Sequence, residues 1–311
     1  MILKCAHREV LYLDEIWVMK ERKSDILWKV VMEEVFDDLL RFIMPEADHE
    51  YDLGRGFEFL EKELAEMYPE PEKESDTRFA DKLVKVFNRR GGEDWVLLHI
   101  EIQGDTSRRV EFSERMFRYF YRILDRYRKS VSAVAIFTGV DGKKMPSRYI
   151  YRYWKTSVVY EYHTLSIMDF TDEELGESNN QFALVVLAAK TALLEKKIPE
   201  IELLERKILI ANKLFRKGFT SKKIRAIFIF LESYVLFDSP EMNCIFNEQI
   251  KASHKYNFMG IDEYLVMVGK EQKEISVIKN LLTQTDFSDE KIASIAGVEV
   301  SFVEEIRKEL K

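Results

Sequence analysis

Trp95-Val96-Leu97-Leu98-His99-Ile100-Glu101-Ile102-Gln103 is the stretch on which the reading of the fold turns. Strand side chains alternate between faces, so His99, Glu101 and Gln103 share one face while Val96, Leu98, Ile100 and Ile102 share the other. Ahead of it, Ala80 to Phe87 reads as a second strand, and Asn88-Arg89-Arg90-Gly91-Gly92-Glu93-Asp94 between them has the composition of a hairpin connection. A loop centred near Gly91 sets Asp81 directly across from Glu101. Two carboxylates opposite each other, with Cβ atoms roughly 5 Å apart, repel unless something positive lies between them. A divalent cation meets that need, because Mg2+ takes one or two protein carboxylates together with waters and phosphate oxygens. Such an ion lowers the pKa of a bound water and stabilises the charge that develops on a phosphodiester during hydrolysis. Spacing alone leaves a second reading open, in which the two acids lie on a wet sheet face and pair with Lys82, Lys85 or a neighbouring helix.

Outward from the hairpin, Asp25 to Met44 carries Leu27, Val31, Val35, Leu39, Phe42 and Ile43 at helical spacing, and Pro45 stops the pattern. A Gly-containing stretch from Asp52 to Phe59 is a candidate strand, and an acidic, proline-bearing loop runs from Tyr68 to Asp76. On the other side, Arg108 to Lys129 reads as a helix with Met116, Phe120, Ile123, Leu124 and Tyr127 on its apolar side, and Val131 to Phe137 suits a buried strand. The order helix, strand, hairpin, helix, strand predicts a mixed α/β (α+β) core. Beyond about residue 178 the strand signals disappear. Ser178 and Gln181 stand at capping-box spacing before Phe182, and helices are expected at about 200–216, 221–236, 260–283, 288–296 and 301–310. The last two, joined by Gly297, have the layout of a helix-turn-helix, although the second one (Phe302-Val303-Glu304-Glu305-Ile306-Arg307) is not basic. The expected organisation is an N-terminal extension over 1–24, a core over 25–177 and an all-helical half over 178–311.

A chain of 311 residues exceeds the size at which a single core usually stops growing, so two domains are expected. Hydrophobic residues at 46% and charged residues at 33% argue for a folded chain over a disordered one. The longest apolar run, Phe182 to Leu194, is too short to cross a bilayer and is broken by Lys190, and Glu9, Asp14 and Glu15 interrupt any signal-like N-terminus. A cytoplasmic protein without a membrane partner is expected, with the helical half as a candidate surface for homo-oligomers. Cys5 and Cys244 with five scattered histidines make neither a disulfide framework nor a zinc site. The net charge of −7 excludes a protein that coats nucleic acid indiscriminately. Basic residues nevertheless cluster: eight against three acids from Thr106 to Lys129, and eight with no acid from Arg206 to Arg225. Either cluster could meet phosphates or form a solvated helix face.

Three segments together carry a family resemblance: Phe79-Ala80-Asp81-Lys82-Leu83-Val84-Lys85-Val86, Leu97-Leu98-His99-Ile100-Glu101-Ile102-Gln103-Gly104, and Phe112-Ser113-Glu114-Arg115-Met116-Phe117-Arg118-Tyr119. Asp25-Ile26-Leu27-Trp28-Lys29, Gly56 to Leu64 and Asn180-Gln181-Phe182-Ala183 agree with it, so that it spans about residues 25 to 195. In these segments the chain resembles the recombination-promoting nuclease/putative transposase (Rpn) family of the PD-(D/E)XK nuclease superfamily. The resemblance implies a restriction-endonuclease-like core and a metal-dependent DNA endonuclease, a hydrolase linked to recombination or mobile elements. It implies that Asp81 and Glu101 bind Mg2+ (or Mn2+), that Gln103 stands where the superfamily has its motif lysine, and that a first-helix glutamate, Glu33, completes the site. Glutamine offers hydrogen bonds but no cation to the attacking water. The alternative is therefore a catalytically weak or inactive nuclease fold acting as a DNA-binding or structural module. Arg108, Arg109 and Arg115, on the helix after the active strand, are the candidates for DNA-phosphate contacts, and the competing role is salt bridging to Glu111 and Glu114.

Overall fold

The computed structural model describes residues 24–60, 80–101, 109–216, 219–253, 277–279, 281–283, 285 and 287–309. The chain divides into two compact units, residues 1–255 and 256–311. The first contains helix α1 (24–43), the short α2 (Ala47–Glu50) and strands β1 (Phe57–Phe59), β2 (Ala80–Phe87) and β3 (Glu93–Glu101). Helix α3 (Arg109–Tyr127) and strand β4 (Val131–Phe137) follow, then β5 (Arg148–Tyr153), β6 (Thr156–Glu161) and β7 (His163–Ser166). Helices α4 (Asp172–Glu177), α5 (Phe182–Ala192), α6 (Glu200–Arg216), α7 (Ser221–Tyr234) and α8 (Pro240–Ser253) complete it. The architecture is mixed α+β.

Five strands form one sheet in the order β1-β2-β3-β4-β7. The first three pair antiparallel, while β4 lies parallel to β3 and β7 parallel to β4. A parallel step needs a crossover, and α3 supplies it between β3 and β4. Asn88 builds the β2–β3 hairpin. Its side-chain oxygen accepts from the Arg90 and Gly92 amides at 3.2 and 2.9 Å, its own amide donates to the Gly92 carbonyl, and Gly91 takes a φ of 89°. The loop thus closes at Gly92, and Glu93 and Asp94 join the strand instead of the turn. Pairing sets Asp81 opposite His99, not opposite Glu101, which corrects the register expected for a loop centred near Gly91.

Both faces of the sheet are buried where its side chains are described, in place of one apolar and one polar face. On the odd-numbered face of β2 and β3, Leu83, Trp95 and Leu97 pack with Phe112, Met116 and Ile123 of α3. On the other face, Phe36 of α1 meets Phe57 and Phe59 of β1 at ring distances of 4.8 and 5.8 Å. Helix α1 ends at residue 43, ahead of Pro45 as its periodicity predicts, its apolar stripe from Leu27 to Leu40 being buried.

The boundary expected at 177/178 is not where the chain divides, because the helices from 182 to 253 share the first unit. Trp28 packs edge-on against Phe230 and Tyr234 of α7 at 4.9 and 5.9 Å, and Phe42 touches Phe182 of α5 at 5.4 Å. Polar links reinforce this: Asn180 donates to the Asp38 carbonyl at 2.8 Å, and Lys223 bonds Asp37 and Asp38 at 2.8 and 2.6 Å. Burial pushes the Asp37 carboxyl up, but Lys223 and Arg41 outweigh it and hold the group below its usual range. For Asp38 burial prevails and the pKa rises. The capping box anticipated at Ser178 and Gln181 does not form. Asn180 accepts from the Phe182 amide instead, and capping boxes occur at Ser166/Asp169 and Thr171/Glu174.

The second unit contains α9 (Asp289–Ala296) and α10 (Val300–Glu309), joined through Gly297 at a φ of 71° in the left-handed C-cap position. Ile292, Ala293, Val303 and Ile306 close their contact with Ile278, and Arg307 pairs with Asp289 at 2.7 Å. The paired-helix layout expected for the C-terminus is present, with Ser288 as N-cap of the first helix.

Within the basic run from Arg206 to Arg225, several of the described cations are engaged inside the protein. Arg206 pairs with Glu202 and Asp172, Lys213 donates to the Gly176 carbonyl, and Lys223 holds α1. Lys207 is fully buried; its ammonium donates to the carbonyls of Glu232 and Val235 at 3.0 and 2.7 Å and lies over the rings of Phe237 and Phe246. Desolvation lowers its pKa from 10.5 to about 8. Between those values the unfolded chain binds a proton that the native chain does not, so stability rises with pH across that window. The unfolding free energy of the wild type, relative to Lys207→Met, is expected to rise by roughly 3 kcal/mol from pH 8 to 10.5 in urea titrations. A difference that stays flat with pH would show that Lys207 keeps its charge.

Candidate functional site

The acids picked out in sequence stand at one end of the β2–β3 ladder. Asp81 is the second residue of β2 and Glu101 the last of β3, and Asp81 pairs with His99. Glu101 is therefore one diagonal step from Asp81, and the two positions have the same parity, hence the same face. Diagonal neighbours are about 7–8 Å apart, against about 5 Å for an opposed pair, so repulsion is milder but both positions remain within reach of one ion. That face is the one α3 covers further along at Leu83, Trp95 and Leu97. The side chains of Asp81, Glu101 and Arg109 and the whole of Gln103 and Arg108 lie outside the described residues. Among the described residues no group of three or more His, Cys, Asp and Glu is placed to hold a metal ion.

Glu33 is not brought to that face. Its carboxylate accepts from Lys82, whose side chain is 3% exposed against 23% for Glu33. Lys82 neighbours Asp81 and so belongs to the opposite face, the one on which α1 packs. The lysine also sits near the ring of Phe59, at 5.2 Å. A buried ammonium needs an anion, and the first helix supplies it. The pair gives the glutamate at that helix position a structural task, as counter-ion to Lys82. Lys85, of the same parity as Asp81, is paired with Glu58 of β1.

Several cations of α3 and of the residues just after it are engaged within the protein. Arg118 donates to Glu114 at 2.5 Å, Arg128 reaches Asp125 at 3.9 Å, and the Lys129 ammonium donates to Glu93, whose carboxyl it lowers. Arg115 is half-buried, its guanidinium 5.4 Å from the Phe112 ring centre, so a phosphate contact through it would require that packing to open.

One feature absent from the sequence reading is the separate two-stranded sheet of β5 and β6. It carries Arg148-Tyr149-Ile150-Tyr151-Arg152-Tyr153-Trp154-Lys155 to a solvent-exposed tip. Its signal was the every-second-residue tyrosines at 149, 151 and 153.

The chain matches no protein-family model, no curated protein and no solved structure. Among the described residues no helix is long and apolar enough to cross a membrane.

Removing the partner of a buried charge leaves an unmet desolvation cost, so Glu33→Ala should destabilise the fold by about 2 kcal/mol. Adding Lys82→Met to that variant should recover most of the loss, because an apolar side chain there needs no counter-ion. Chemical denaturation of the single and double variants checks this, and a Glu33→Ala chain as stable as wild type would show the pair to be idle.

Proposed function

We propose that the chain is a metal-dependent DNA endonuclease of the PD-(D/E)XK type, hydrolysing phosphodiester bonds in a recombination or mobile-element setting, with a restriction-endonuclease-like core. The observation that carries this reading is the backbone placement of Asp81 and Glu101, same-face diagonal neighbours at the end of an antiparallel pair whose second strand leads into a crossover helix and a parallel strand. The donor set fits Mg2+ or Mn2+: two carboxylates leave most of a hard cation's coordination sphere to water and phosphate oxygens. When bound, that ion would lower the pKa of a coordinated water and offset the charge developing on the phosphate.

The chain's own residues then have limited tasks. Asp81 and Glu101 would anchor the ion, and Gln103 would orient a water by hydrogen bonding without offering it a positive charge. Neither strand lysine is at hand to substitute, because Lys82 is committed to Glu33 on the other face and Lys85 to Glu58. A rate below that of lysine-bearing enzymes follows, since general-base or electrostatic help from such a group is typically worth 10²–10⁴-fold. Conversion of supercoiled to nicked plasmid should require Mg2+ or Mn2+, fall to background in Asp81→Ala and in Glu101→Ala, and increase in Gln103→Lys. Equal traces of cleavage in the wild type and both alanine variants would replace this reading with that of a non-catalytic DNA-binding fold.

A further inference from the structure

We infer that the β5–β6 hairpin is a stacking platform for unpaired bases, so that the polymer this chain engages is single-stranded, or a duplex with an unpaired segment. The inference deepens the nuclease reading, on which it rests only for the identity of the polymer as DNA.

The hairpin's aromatic residues fall into two groups. At its root, Tyr149 stacks on Phe117 of α3 at 5.0 Å, Tyr160 stacks on Phe120 at 4.7 Å, and Tyr162 donates to the Pro146 carbonyl at 2.7 Å. These rings pack the hairpin against the helix, and burial pushes the Tyr160 and Tyr162 phenols well up. Towards the tip the rings have no such work: Tyr151 is 43% exposed, Tyr153 72% and Trp154 90%. Large aromatics held open at a turn run against the hydrophobic effect and call for a reason.

The turn itself adds a second observation. Tyr153 pairs with Thr156, leaving Trp154 and Lys155 as a two-residue loop, and Trp154 has a φ of 49°. That position usually takes glycine or asparagine, and a bulky residue there is strained. Strain of this kind persists where the side chain has a use.

Charge selects the partner. Residues 148–161 hold three cations, Arg148, Arg152 and Lys155, against the single acid Glu161, on a chain of net charge −7. The Lys155 ammonium stands 5.5 Å from the Trp154 ring centre. Arg148 and Arg152 are exposed and make no ion pair with any described residue. Cations on an unpaired strand edge also guard against aggregation. That role does not account for the open rings, which would themselves promote aggregation. A bilayer would favour a contiguous apolar tip, whereas this one reads Tyr153-Trp154-Lys155-Thr156-Ser157. Lys155 stands beside the Trp154 ring, and Arg148 and Arg152 flank the rings from the other face of the narrow β5 ribbon. Cations bordering open rings are the combination by which proteins hold single strands, the cations tracking phosphates and each ring taking one base. Bases within a duplex are already stacked on each other and present no free face.

The test measures binding alone. Fluorescence anisotropy of a labelled oligothymidylate in EDTA, where no cleavage occurs, should give an affinity that drops at least about fivefold in Trp154→Ala and in Tyr153→Ala. Trp154→Phe, which keeps a ring, should retain most of it. Binding to a blunt duplex of equal length should be weaker and change less than about twofold in the same variants. Equal oligothymidylate affinity in wild type and Trp154→Ala overturns the proposal, as does a loss confined to anionic phosphatidylserine vesicles. Reduced strand binding by Trp154→Ala, with nicking indifferent to Asp81→Ala, leaves the platform standing and removes the nuclease. The converse pattern removes the platform alone.

Discussion

The register between β2 and β3 is the constraint on which the rest of the structure depends. In a sheet buried on both faces, a slip of one residue would carry Leu83, Trp95 and Leu97 to the α1 side and bring Lys82 under α3. Neither exchange is tolerable, because α3 offers Phe112, Met116 and Ile123 rather than an anion. Asn88 fixes the alignment locally through the turn, and Glu33 fixes it from a distance by neutralising Lys82 on the α1 face. The same alignment sets Asp81 and Glu101 on a common face one diagonal step apart. Fold and candidate site are therefore consequences of a single pairing.

The second unifying feature is the inward use of charge. Lys82, Lys207 and Lys223 are each drawn into the interior, and each does a different job. Lys82 ties α1 to the sheet, Lys223 ties α7 to α1 through two aspartates, and Lys207 takes up the carbonyls of Glu232 and Val235 at the end of α7. A carbonyl at a helix end that loses water needs a donor, and an ammonium serves two of them at once. These contacts bind the helices after residue 181 to the sheet, and so the chain does not divide where strand signals stop.

Most of the helices and the central hairpin were legible in the sequence, because their periodicity is strong and their ends are marked by Pro45, Gly297 and Ser288. The α3 crossover and β4 were also readable, the latter residue for residue. The exact pairing was not, since it depended on which of the residues from Asn88 to Asp94 closed the loop, and the choice was made by one side-chain oxygen. Residues 138 to 177 hid β5, β6, β7 and α4, whose strands are short and partly exposed and so carry little hydrophobic contrast. The basic run over 206–225 left two readings open for a related reason: composition records how many cations a helix has, not which way they face. Glu33 illustrates the same limit, since position on a helix does not reveal that its carboxylate is paired with a buried lysine.

These assignments bear on how an acidic chain can approach a polyanion at all. Repulsion from a net charge of −7 must be overcome locally, and the lysines that might have formed a broad basic face are committed inside. Among the cations left on the surface, Arg118 of α3 and Arg128 just after it already have acidic partners, whereas Arg148 and Arg152 of the β5–β6 hairpin do not pair with any described residue. A few cations give weak affinity that fades with salt. Base stacking does not depend on net charge in that way, so exposed rings can supply what a small positive patch cannot. Under the proposed platform, the open aromatics at 151, 153 and 154 would let an acidic protein hold an unpaired strand, while intact duplex, offering phosphates but no free bases, would be held poorly.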